Sequence, residues 1–305
     1  MRSRRQMRSL SARPFLKWAG GKGQLLATLM PRLPADLGSG SVRRYVEPFL
    51  GGGAVFFAVA EAYSPEESFL FDVNRELVLT YRAVQQDVER LIEELRALET
   101  AYLPLSDDER RGFYYGLRDR FNRAEGSTES TPVSRAAEFL FLNRTCFNGL
   151  FRVNSRGRFN VPPGRYQNPR ILDEENLRAV SGLLARVTIR QGDFTESLPV
   201  VDEQTFIYID PPYRPLSTTA KFTSYACDAF TDADQIRLAE FCRKADAAGA
   251  RFMLSNSDPR NTDPDDSFFD DLYSGFSISR VSARRAINRN PDGRGSLTEI
   301  VVTNF

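Results

Sequence analysis

Residues 42–60 have the sequence VRRYVEPFLGGGAVFFAVA. The apolar residues within 42–49 predict a short strand, and the three glycines at 51–53 predict a turn that an ordinary side chain would hinder. The continuous apolar run at 54–60 predicts a helix directly after that turn. The order strand, glycine turn, helix is typical of sheets that bind nucleotides, although a glycine turn also forms for purely backbone reasons.

A second apolar strand is predicted at 68–71 and ends in Asp72, 21 positions after Gly51. In such folds, an acidic residue about 20 positions beyond the glycine turn accepts hydrogen bonds from ribose hydroxyls. The glycines do not form the GxGxxG pattern of a pyrophosphate site, and no P-loop lysine follows them. An adenosine ligand without a pyrophosphate therefore fits this site better than a dinucleotide.

Later apolar stretches predict further strands, and a helix at 231–248 lies between two of them. This order predicts an α/β fold with a parallel, doubly wound, Rossmann-like sheet. Ligands of such sheets bind beyond the carboxyl ends of the strands. The strands are predicted at 187–190, 206–209, 251–254, 276–281 and 299–303. The groups predicted at their carboxyl ends and at those of the first two strands are Glu47-Pro48-Phe49, Asp72, Gly192-Asp193-Phe194 and Asp210-Pro211-Pro212-Tyr213.

The segment 76–169 interrupts the strand pattern with helical periodicity and then a basic stretch. Helices are predicted at 76–102, 106–123 and 134–145. Turn signals in 147–162 predict a basic β-hairpin or extended loop. We therefore expect two domains and a tail: a sheet domain of 11–75 and 170–305, a helical insert of 76–169, and a flexible basic tail of 1–10.

Composition restricts the chemistry of this 305-residue chain, which contains no histidine. Histidine-based zinc sites, Ser-His-Asp triads and histidine general bases are therefore excluded, and we expect no metal. Cys146, Cys227 and Cys242 form no CxxC pair, so we expect these cysteines to be small residues of the core.

No apolar run is long enough for a membrane helix, and the N-terminus lacks the apolar core of a signal peptide. We expect a cytoplasmic protein.

Charge is unevenly distributed despite a net charge of only +1. Residues 1–13 carry five arginines and 144–170 carry six, and neither segment contains an acidic residue, whereas 258–271 is strongly acidic. Such runs occur as ordinary solvated surface. Clustered arginines also provide the electrostatic footprint of nucleic-acid binding, so position matters more than net charge here.

Asp210-Pro211-Pro212-Tyr213 is the most specific motif of the chain. Two prolines directly after an apolar strand remove two backbone donors and leave a stiff turn of carbonyls. The Asp210 carboxylate and the Pro211 carbonyl can accept the two hydrogens of an exocyclic amine such as adenine N6. Tyr213 offers a ring on which an extruded base can stack. A proline-terminated strand followed by a surface tyrosine is the alternative interpretation.

Three motifs in this order resemble the Dam family, the D12 class of DNA adenine-N6 methyltransferases. The likeness extends from Pro14 over nearly the whole chain. The motifs are Pro14-Phe15-Leu16-Lys17-Trp18-Ala19-Gly20-Gly21-Lys22, Tyr45 to Gly53, and Asp210 to Tyr213. Further similar stretches are Asn143-Arg144, Phe147 to Leu150, Phe159 to Pro162, Pro215-Leu216-Ser217, Phe222 to Tyr225 and Arg284-Arg285.

The resemblance implies transfer of a methyl group from S-adenosylmethionine to N6 of an adenine flipped out of duplex DNA. It implies GATC as the recognition sequence and no metal. The implied catalytic residues are Asp210, Pro211, Pro212 and Tyr213. The implied cofactor-binding residues are Trp18, Lys22, Glu47, Pro48, Phe49, Gly51, Gly53, Asp72, Asp193, Phe194 and Asp210. The implied DNA-binding residues are Lys17, Arg144, Phe147, Asn148, Leu150, Arg152 and Pro162.

The chain departs from the family pattern at Phe147, where tyrosine is common, so its wedge into the duplex lacks a hydroxyl. Arg152 keeps the forked side chain that can address guanine O6 and N7 together. Trp18 could instead be a core residue, and Arg144 could brace the hairpin through backbone contacts.

Three other functions are open at this point. An RNA or protein-amide methyltransferase would share the cofactor turn but has no need of the arginine-rich insert. A DNA-binding protein without catalysis would not need Asp210, Pro211 and Tyr213, and a nicotinamide-dependent oxidoreductase is disfavoured by the glycine pattern. We expect a bacterial or phage enzyme acting at the nucleoid as a monomer, with a dimer on DNA as the alternative. Pairing with a restriction endonuclease is open.

Overall fold

The computed structural model describes residues 11–123, 131–214, 230–283 and 297–305. It divides into two compact units. The helical unit comprises the described residues of 1–19, 76–152 and 158–187, and the sheet unit those of 20–75, 153–157 and 188–305. The predicted tail 1–10, Cys227, the motif residues within 215–225, and Arg284-Arg285 lie outside the described residues.

The sheet unit contains a seven-stranded sheet in the order β3-β2-β1-β4-β5-β7-β6. Strands β2 and β4 flank β1 in parallel, and β5 runs parallel to β4. The strands are β1 Arg44–Glu47, β2 Glu67–Asp72, β3 Val187–Gln191, β4 Thr205–Ile209, β5 Arg251–Ser257, β6 Ser277–Ala283 and β7 Leu297–Thr303. The predicted Rossmann-like α/β fold is therefore confirmed.

The sheet is mostly parallel, as predicted, but one edge is antiparallel. Strand β7 runs antiparallel to β5, with Asn256 opposite Ile300, and β6 runs antiparallel to β7. A run of apolar residues predicts a strand but does not show whether that strand runs parallel or antiparallel to its neighbour. The antiparallel direction of β7 and β6 therefore could not be predicted from the sequence. Strand β1, at the centre of the parallel part, places its carboxyl end between those of β2 and β4.

The strands of the sheet unit consist largely of apolar residues that are buried in its core. All five residues of β4 are buried, and the core includes Ile207 and Phe252 from neighbouring strands. Helix α8 packs its apolar face onto this core, and its start is fixed by a capping box between Thr231 and Asp234. The helices of the sheet unit are α1 Leu26–Leu29, α2 Ala54–Tyr63, α8 Asp232–Ala247 and α9 Phe268–Leu272.

The helical unit is built from five helices within its described residues. The predicted helix at 76–102 is two helices, because the backbone at Asp87 leaves the helical region with φ −147°. A buried bidentate ion pair joins Arg135 to Glu76, with nitrogen–oxygen distances of 2.7 and 2.9 Å. The helices are α3 Arg75–Gln86, α4 Val88–Tyr102, α5 Asp107–Arg123, α6 Pro132–Thr145 and α7 Glu174–Leu184.

The unit boundaries differ from the predicted domain boundaries at three places. Residues 11–19 and 170–187 group with the helical unit, and residues 153–157 group with the sheet unit. Arg13 explains part of this grouping, because its guanidinium contacts Asp173 at 2.8 Å and its backbone bonds with the Asn176 side chain. Helix α7, which the sequence analysis did not identify, carries the second of these partners.

The basic segment after α6 is an extended loop with single bridges instead of a regular hairpin. Cys146 forms an isolated bridge with Pro163, and Asn160 N–H donates to the Arg152 carbonyl at 3.0 Å. The two described cysteines, Cys146 and Cys242, are buried free thiols, as predicted. In the part of the chain that the structure describes, no helix is long and apolar enough to cross a membrane.

Candidate active site

The carboxyl ends of β2, β1 and β4 bring three acidic residues to one edge of the sheet. Asp72 ends β2 and Glu47 ends β1, while Asp210 directly follows β4. Their strands are neighbours in the sheet, so residues distant in sequence share one edge. This is the edge at which doubly wound sheets bind ligands.

The glycine turn is fixed onto Asp72. The Gly51 amide donates to Asp72 Oδ2 at 3.0 Å, and the Asn74 amide donates to Oδ1 at 2.9 Å. Gly51 and Gly53 have φ of +47° and +67°, a region that side chains disfavour, which explains why glycine is used there. Burial raises the pKa of Asp72. Each of its oxygens has a second lone-pair direction, so the carboxylate can still accept from hydroxyl groups.

Glu47 differs from the other two acids because its carboxylate is engaged inside the fold. It accepts from the Tyr45 hydroxyl at 2.8 Å and from the Phe56 amide. Phe56 lies in the first turn of α2, whose amides have no partner within the helix, so Glu47 caps that helix. Burial holds its pKa well above the ordinary value. Pro48, the next residue, is also buried.

An apolar wall adjoins the acidic edge. The rings of Phe49 and Phe194 stack at 5.5 Å between centroids, and Phe230 meets Phe49 edge-on at 5.7 Å. Asp193 precedes this wall, and its Oδ1 accepts from the Thr195 amide at 3.1 Å and from Arg237 at 3.1 Å. Asp193 thus caps the short 3₁₀ helix Phe194–Val200 and positions Phe194.

Asp210 and Lys22 form the central ion pair of this site, with 2.7 Å between Nζ and Oδ1. Lys22 is only 5% exposed and also donates to the Gly20 carbonyl at 3.0 Å. The Ser255 hydroxyl donates to the same Asp210 oxygen at 3.2 Å. Burial raises the pKa of Asp210, while the Lys22 ammonium and the Ser255 hydroxyl act in the opposite direction.

Tyr213 completes the site. The Lys22 ammonium lies 4.5 Å from the centre of its ring, and its hydroxyl donates to Glu299 Oε2 at 2.5 Å. Burial is the main cause of the raised pKa of Tyr213, so it stays a neutral phenol. Pro211 is buried and Pro212 is exposed, and the Pro212 carbonyl accepts from the Gln235 amide at 3.3 Å.

The helical unit holds Lys17 next to the basic loop. Asn143 accepts from the Lys17 amide at 2.8 Å and donates to its carbonyl at 2.7 Å, and it also donates to the Gly149 carbonyl. A β-carbon on Gly149 would come within 2.4 Å of the Lys17 side chain. The Lys17 ammonium lies over the Tyr166 ring at 4.2 Å. Asn143 therefore joins the opening motif to the loop.

Apart from Arg144 on α6, the other residues expected to contact DNA lie in the same loop. Phe147 is 51% exposed although its amide donates to the Pro162 carbonyl at 2.9 Å. Asn148 has a left-handed backbone with φ +54°, which turns the chain toward the half-buried Leu150. Arg152 donates from Nε to Asn160 Oδ1 at 2.7 Å, so its guanidinium orientation is set by a neighbour in the loop.

Trp18 and Arg144 are held by contacts within the helical unit. Trp18 stacks on Phe151 with 5.9 Å between centroids and a 19° angle between planes. Arg144 donates to the Phe15 carbonyl at 2.7 Å, and burial lowers its pKa. Arg144 therefore braces the backbone, which is the alternative that its sequence context left open.

Sequence reasoning missed three residues of the sheet unit that contact the Asp210–Tyr213 segment: Ser255, Glu299 and Gln235. A signal for Ser255 existed, because polar residues follow the apolar part of β5. Gln235 also interrupts the apolar face of α8. The pairing of Glu299 with Tyr213 carried no such signal, because it depends on the antiparallel placement of β7.

A family model for D12 class N6 adenine-specific DNA methyltransferases matches residues 18–287. The chain belongs to this family. Methyltransferases of this family use S-adenosylmethionine and act on DNA, so the chain is an adenine-specific DNA methyltransferase.

Relatives of this methyltransferase match along almost its whole length. The chain is 48% identical over 297 residues to the type II methyltransferase M.MjaIII of Methanocaldococcus jannaschii, covering 97% of this chain and 100% of the relative. It is 38% identical to the type II methyltransferase M1.LlaDCHI of Lactococcus lactis, covering 98% of each chain. It is 35% identical to a DNA adenine methylase of Vibrio cholerae, covering 95% of each.

Proposed function

We propose that this methyltransferase modifies the adenine of GATC in duplex DNA after flipping that base into the site formed by Asp210 and Tyr213. The observation that carries the proposal is the juxtaposition of a half-buried carboxylate and an aromatic ring around one cation, Lys22. A flipped adenine needs the same two partners, an acceptor for its amine and a flat face for its ring.

The edge of the sheet fits S-adenosylmethionine. Asp72 retains acceptor capacity for ribose hydroxyls, and the Gly51–Gly53 turn leaves room for close approach of a ligand to the backbone. The half-buried Phe49, whose ring stacks on the buried Phe194, supplies apolar surface of the kind that binds a purine ring. When bound, S-adenosylmethionine would supply the electrophilic methyl group, with S-adenosylhomocysteine as the leaving group and product. Trp18 and Lys22 remain proposed cofactor contacts, whereas the internal bonds of Glu47 and Asp193 favour support roles for their carboxylates.

Asp210 and the Pro211 carbonyl accept the two hydrogens of the adenine amine. This pairing withdraws the nitrogen lone pair from the ring and directs it toward the methyl group, so catalysis comes mainly from orientation. Tyr213 stacks on the base, and the bond from its hydroxyl to Glu299 fixes the ring plane. Asp210 is the nearest acceptor for the proton that the amine loses, and its raised pKa suits that role.

The basic loop reads the recognition sequence. Arg152 addresses guanine through O6 and N7, with Asn160 setting its orientation. Phe147 is exposed as an apolar wedge that stabilises the unstacked duplex, and Asn148 presents it through the left-handed turn. Lys17, Leu150 and Pro162 complete the contacts to the site, while Arg144 acts by holding the backbone.

The test is methyl transfer from labelled S-adenosylmethionine to three duplexes that differ only at the site: GATC, GATC with its adenine replaced, and GATC with its guanine replaced. We expect label on the first duplex alone. Label on all adenine-containing duplexes would contradict the proposed specificity, and label on the duplex without the target adenine would contradict the proposed target. Labelling of single-stranded RNA in preference to all three would contradict the duplex DNA substrate.

A further inference from the structure

The backbone of the segment from Asp210 to Arg214 has few amide donors through which the rest of the fold can hold it. Pro211 and Pro212 have no amide hydrogen, so the backbone of this turn cannot be held through donors at two consecutive positions. The turn must nevertheless be rigid, because the Asp210 carboxylate and the Pro211 carbonyl have to address one amine together. Its backbone can be held only through bonds to its carbonyl oxygens at these positions.

Gln235 on α8 supplies one such bond. Its Nε2 donates to the Pro212 carbonyl at 3.3 Å. The residue is completely buried on a helix face otherwise formed by Leu238, Ala239, Phe241 and Cys242. A buried amide on an apolar face is costly unless its hydrogen bonds are satisfied, so the contact accounts for a polar residue at this position.

Strand β5 completes the network around Gln235. Asn256, also completely buried, donates to Gln235 Oε1 at 3.1 Å, which fixes the direction in which the Gln235 amide points. The Asn256 side-chain oxygen accepts from the Ser257 amide at 2.8 Å. The Ser257 hydroxyl donates to the Arg214 carbonyl at 3.1 Å, which holds the segment at a second point.

We propose that Gln235 is a positioning residue for methyl transfer, whose amide holds the Pro212 carbonyl and thereby sets the orientation of Asp210–Tyr213 toward the target adenine. The inference rests on the proposed function, in which that segment receives the base. Gln235 itself touches neither base nor cofactor. Its loss therefore acts on the rate of the bound complex, while binding of S-adenosylmethionine alone is retained.

The test compares Gln235→Glu and Gln235→Met with wild type in the full chain. Each variant is assayed for kcat on a GATC duplex and for the Kd of S-adenosylmethionine. We expect kcat to fall at least about tenfold, since small displacements of reacting groups have effects of this size, with Kd changed less than about twofold. In Gln235→Glu a protonated carboxyl can still donate to the Pro212 carbonyl. Because burial raises its pKa, activity relative to wild type should recover as pH falls.

Gln85→Glu is the matched control. Gln85 donates to the Leu184 and Val187 carbonyls at 2.7 Å, so the same substitution removes the same kind of bond in the helical unit. We expect this control to lower Tm while leaving kcat unchanged. If Gln85→Glu lowers kcat as much as Gln235→Glu at equal loss of Tm, the effect is general destabilisation and the inference is overturned.

Asp210→Ala is assayed beside these variants to separate the two proposals. An inactive Asp210→Ala together with wild-type kcat in both Gln235 variants overturns the positioning role alone. A fully active Asp210→Ala overturns the proposed function and this inference with it. If Gln235→Glu does not fold, Gln235→Met, which removes the bond without adding a charge, decides by the same comparison of kcat and Kd.

Discussion

Lys22 Nζ lies 2.7 Å from Asp210 Oδ1, so the proposed acceptor of the adenine amine is already paired with a cation. The same ammonium lies over the ring of Tyr213, on which the base would stack. A base entering this site therefore meets an acceptor and a ring that one cation already contacts, and a second carboxylate oxygen and a second ring face are the groups that it can use. The charge of Lys22 also favours the ionised form of Asp210, against the effect of burial.

Lys22→Met is predicted to move the acid limb of the kcat/KM profile to higher pH. The ionised Asp210 is the form that accepts the amine hydrogens, and loss of the ammonium raises its pKa further. Activity should then disappear at a higher pH than in wild type as the pH is lowered. Among the described residues, the titratable groups that interact with Asp210 are Lys22, Glu299, Glu47, Tyr45, Tyr208 and Tyr213.

The control for this substitution is Lys244→Met, which removes an exposed lysine of α8. Its pH profile should match that of wild type. An acid limb at the same pH in Lys22→Met and wild type would show that Lys22 does not control the ionisation of Asp210.

Ser255→Ala is predicted to produce a smaller shift in the same direction. The Ser255 hydroxyl stabilises the Asp210 carboxylate through one hydrogen bond, whereas Lys22 contributes both a charge and a bond. Ser255→Thr retains a hydroxyl and should restore the wild-type limb. The pH profile of kcat/KM measures both, and a larger shift in Ser255→Thr than in Ser255→Ala would refute the assigned hydrogen bond.

Much of the proposed cofactor edge could be predicted because its signals are local. The glycine turn, the following helix and Asp72 lie within one short stretch, and the Gly51–Asp72 bond confirms their relation. The Lys22–Asp210 pair could not be derived from spacing, since it depends on how β4 and the opening segment pack. The direction of β7, which brings Glu299 to Tyr213, also depends on tertiary packing and could not be predicted from local sequence.

The helical unit shows a different limit of sequence reasoning. Its helices were expected from apolar periodicity, but Asp87 breaks the first of them without a glycine or proline to signal the break. The basic loop is held by Asn143 and by the Phe147–Pro162 contact, so tertiary bonds replace the regular pairing of a hairpin.

Glu47→Gln is predicted to remove a pH dependence of stability. The folded-state pKa of Glu47 is raised by burial, so the native state binds a proton that the unfolded state has released. The stabilising contribution is complete below the unfolded pKa and is lost as pH rises through the folded one. As pH rises from the unfolded pKa toward the folded pKa of Glu47, the free energy of unfolding of wild type should fall relative to that of the variant, with a slope that approaches about 1.4 kcal/mol per pH unit.

Denaturant titrations of both proteins at a series of pH values measure this difference. The variant keeps the shape of the side chain and one acceptor oxygen for the Tyr45 and Phe56 donors, so both proteins should fold. A constant difference across the whole range would mean that Glu47 is ionised in the native state.

Arg152→Lys is predicted to relax the preference for guanine in the recognition sequence. Lysine lacks the forked pair of donors and loses the bond to Asn160, so discrimination should fall by about 1–3 kcal/mol, the value of a bidentate contact. The ratio of kcat/KM on GATC to that on a duplex with its guanine replaced measures the change. An unchanged ratio would assign guanine recognition to another residue.

The most direct test of the central claim is nucleoside analysis of a GATC duplex after incubation with S-adenosylmethionine and either wild type or Asp210→Asn. The substitution keeps the shape of the side chain but replaces one acceptor oxygen with a donor. We predict N6-methyldeoxyadenosine as the product of wild type and, with Asp210→Asn, a rate at least about a hundredfold lower at saturating S-adenosylmethionine. Equal rates for the two proteins would contradict the role of Asp210 as acceptor of the adenine amine.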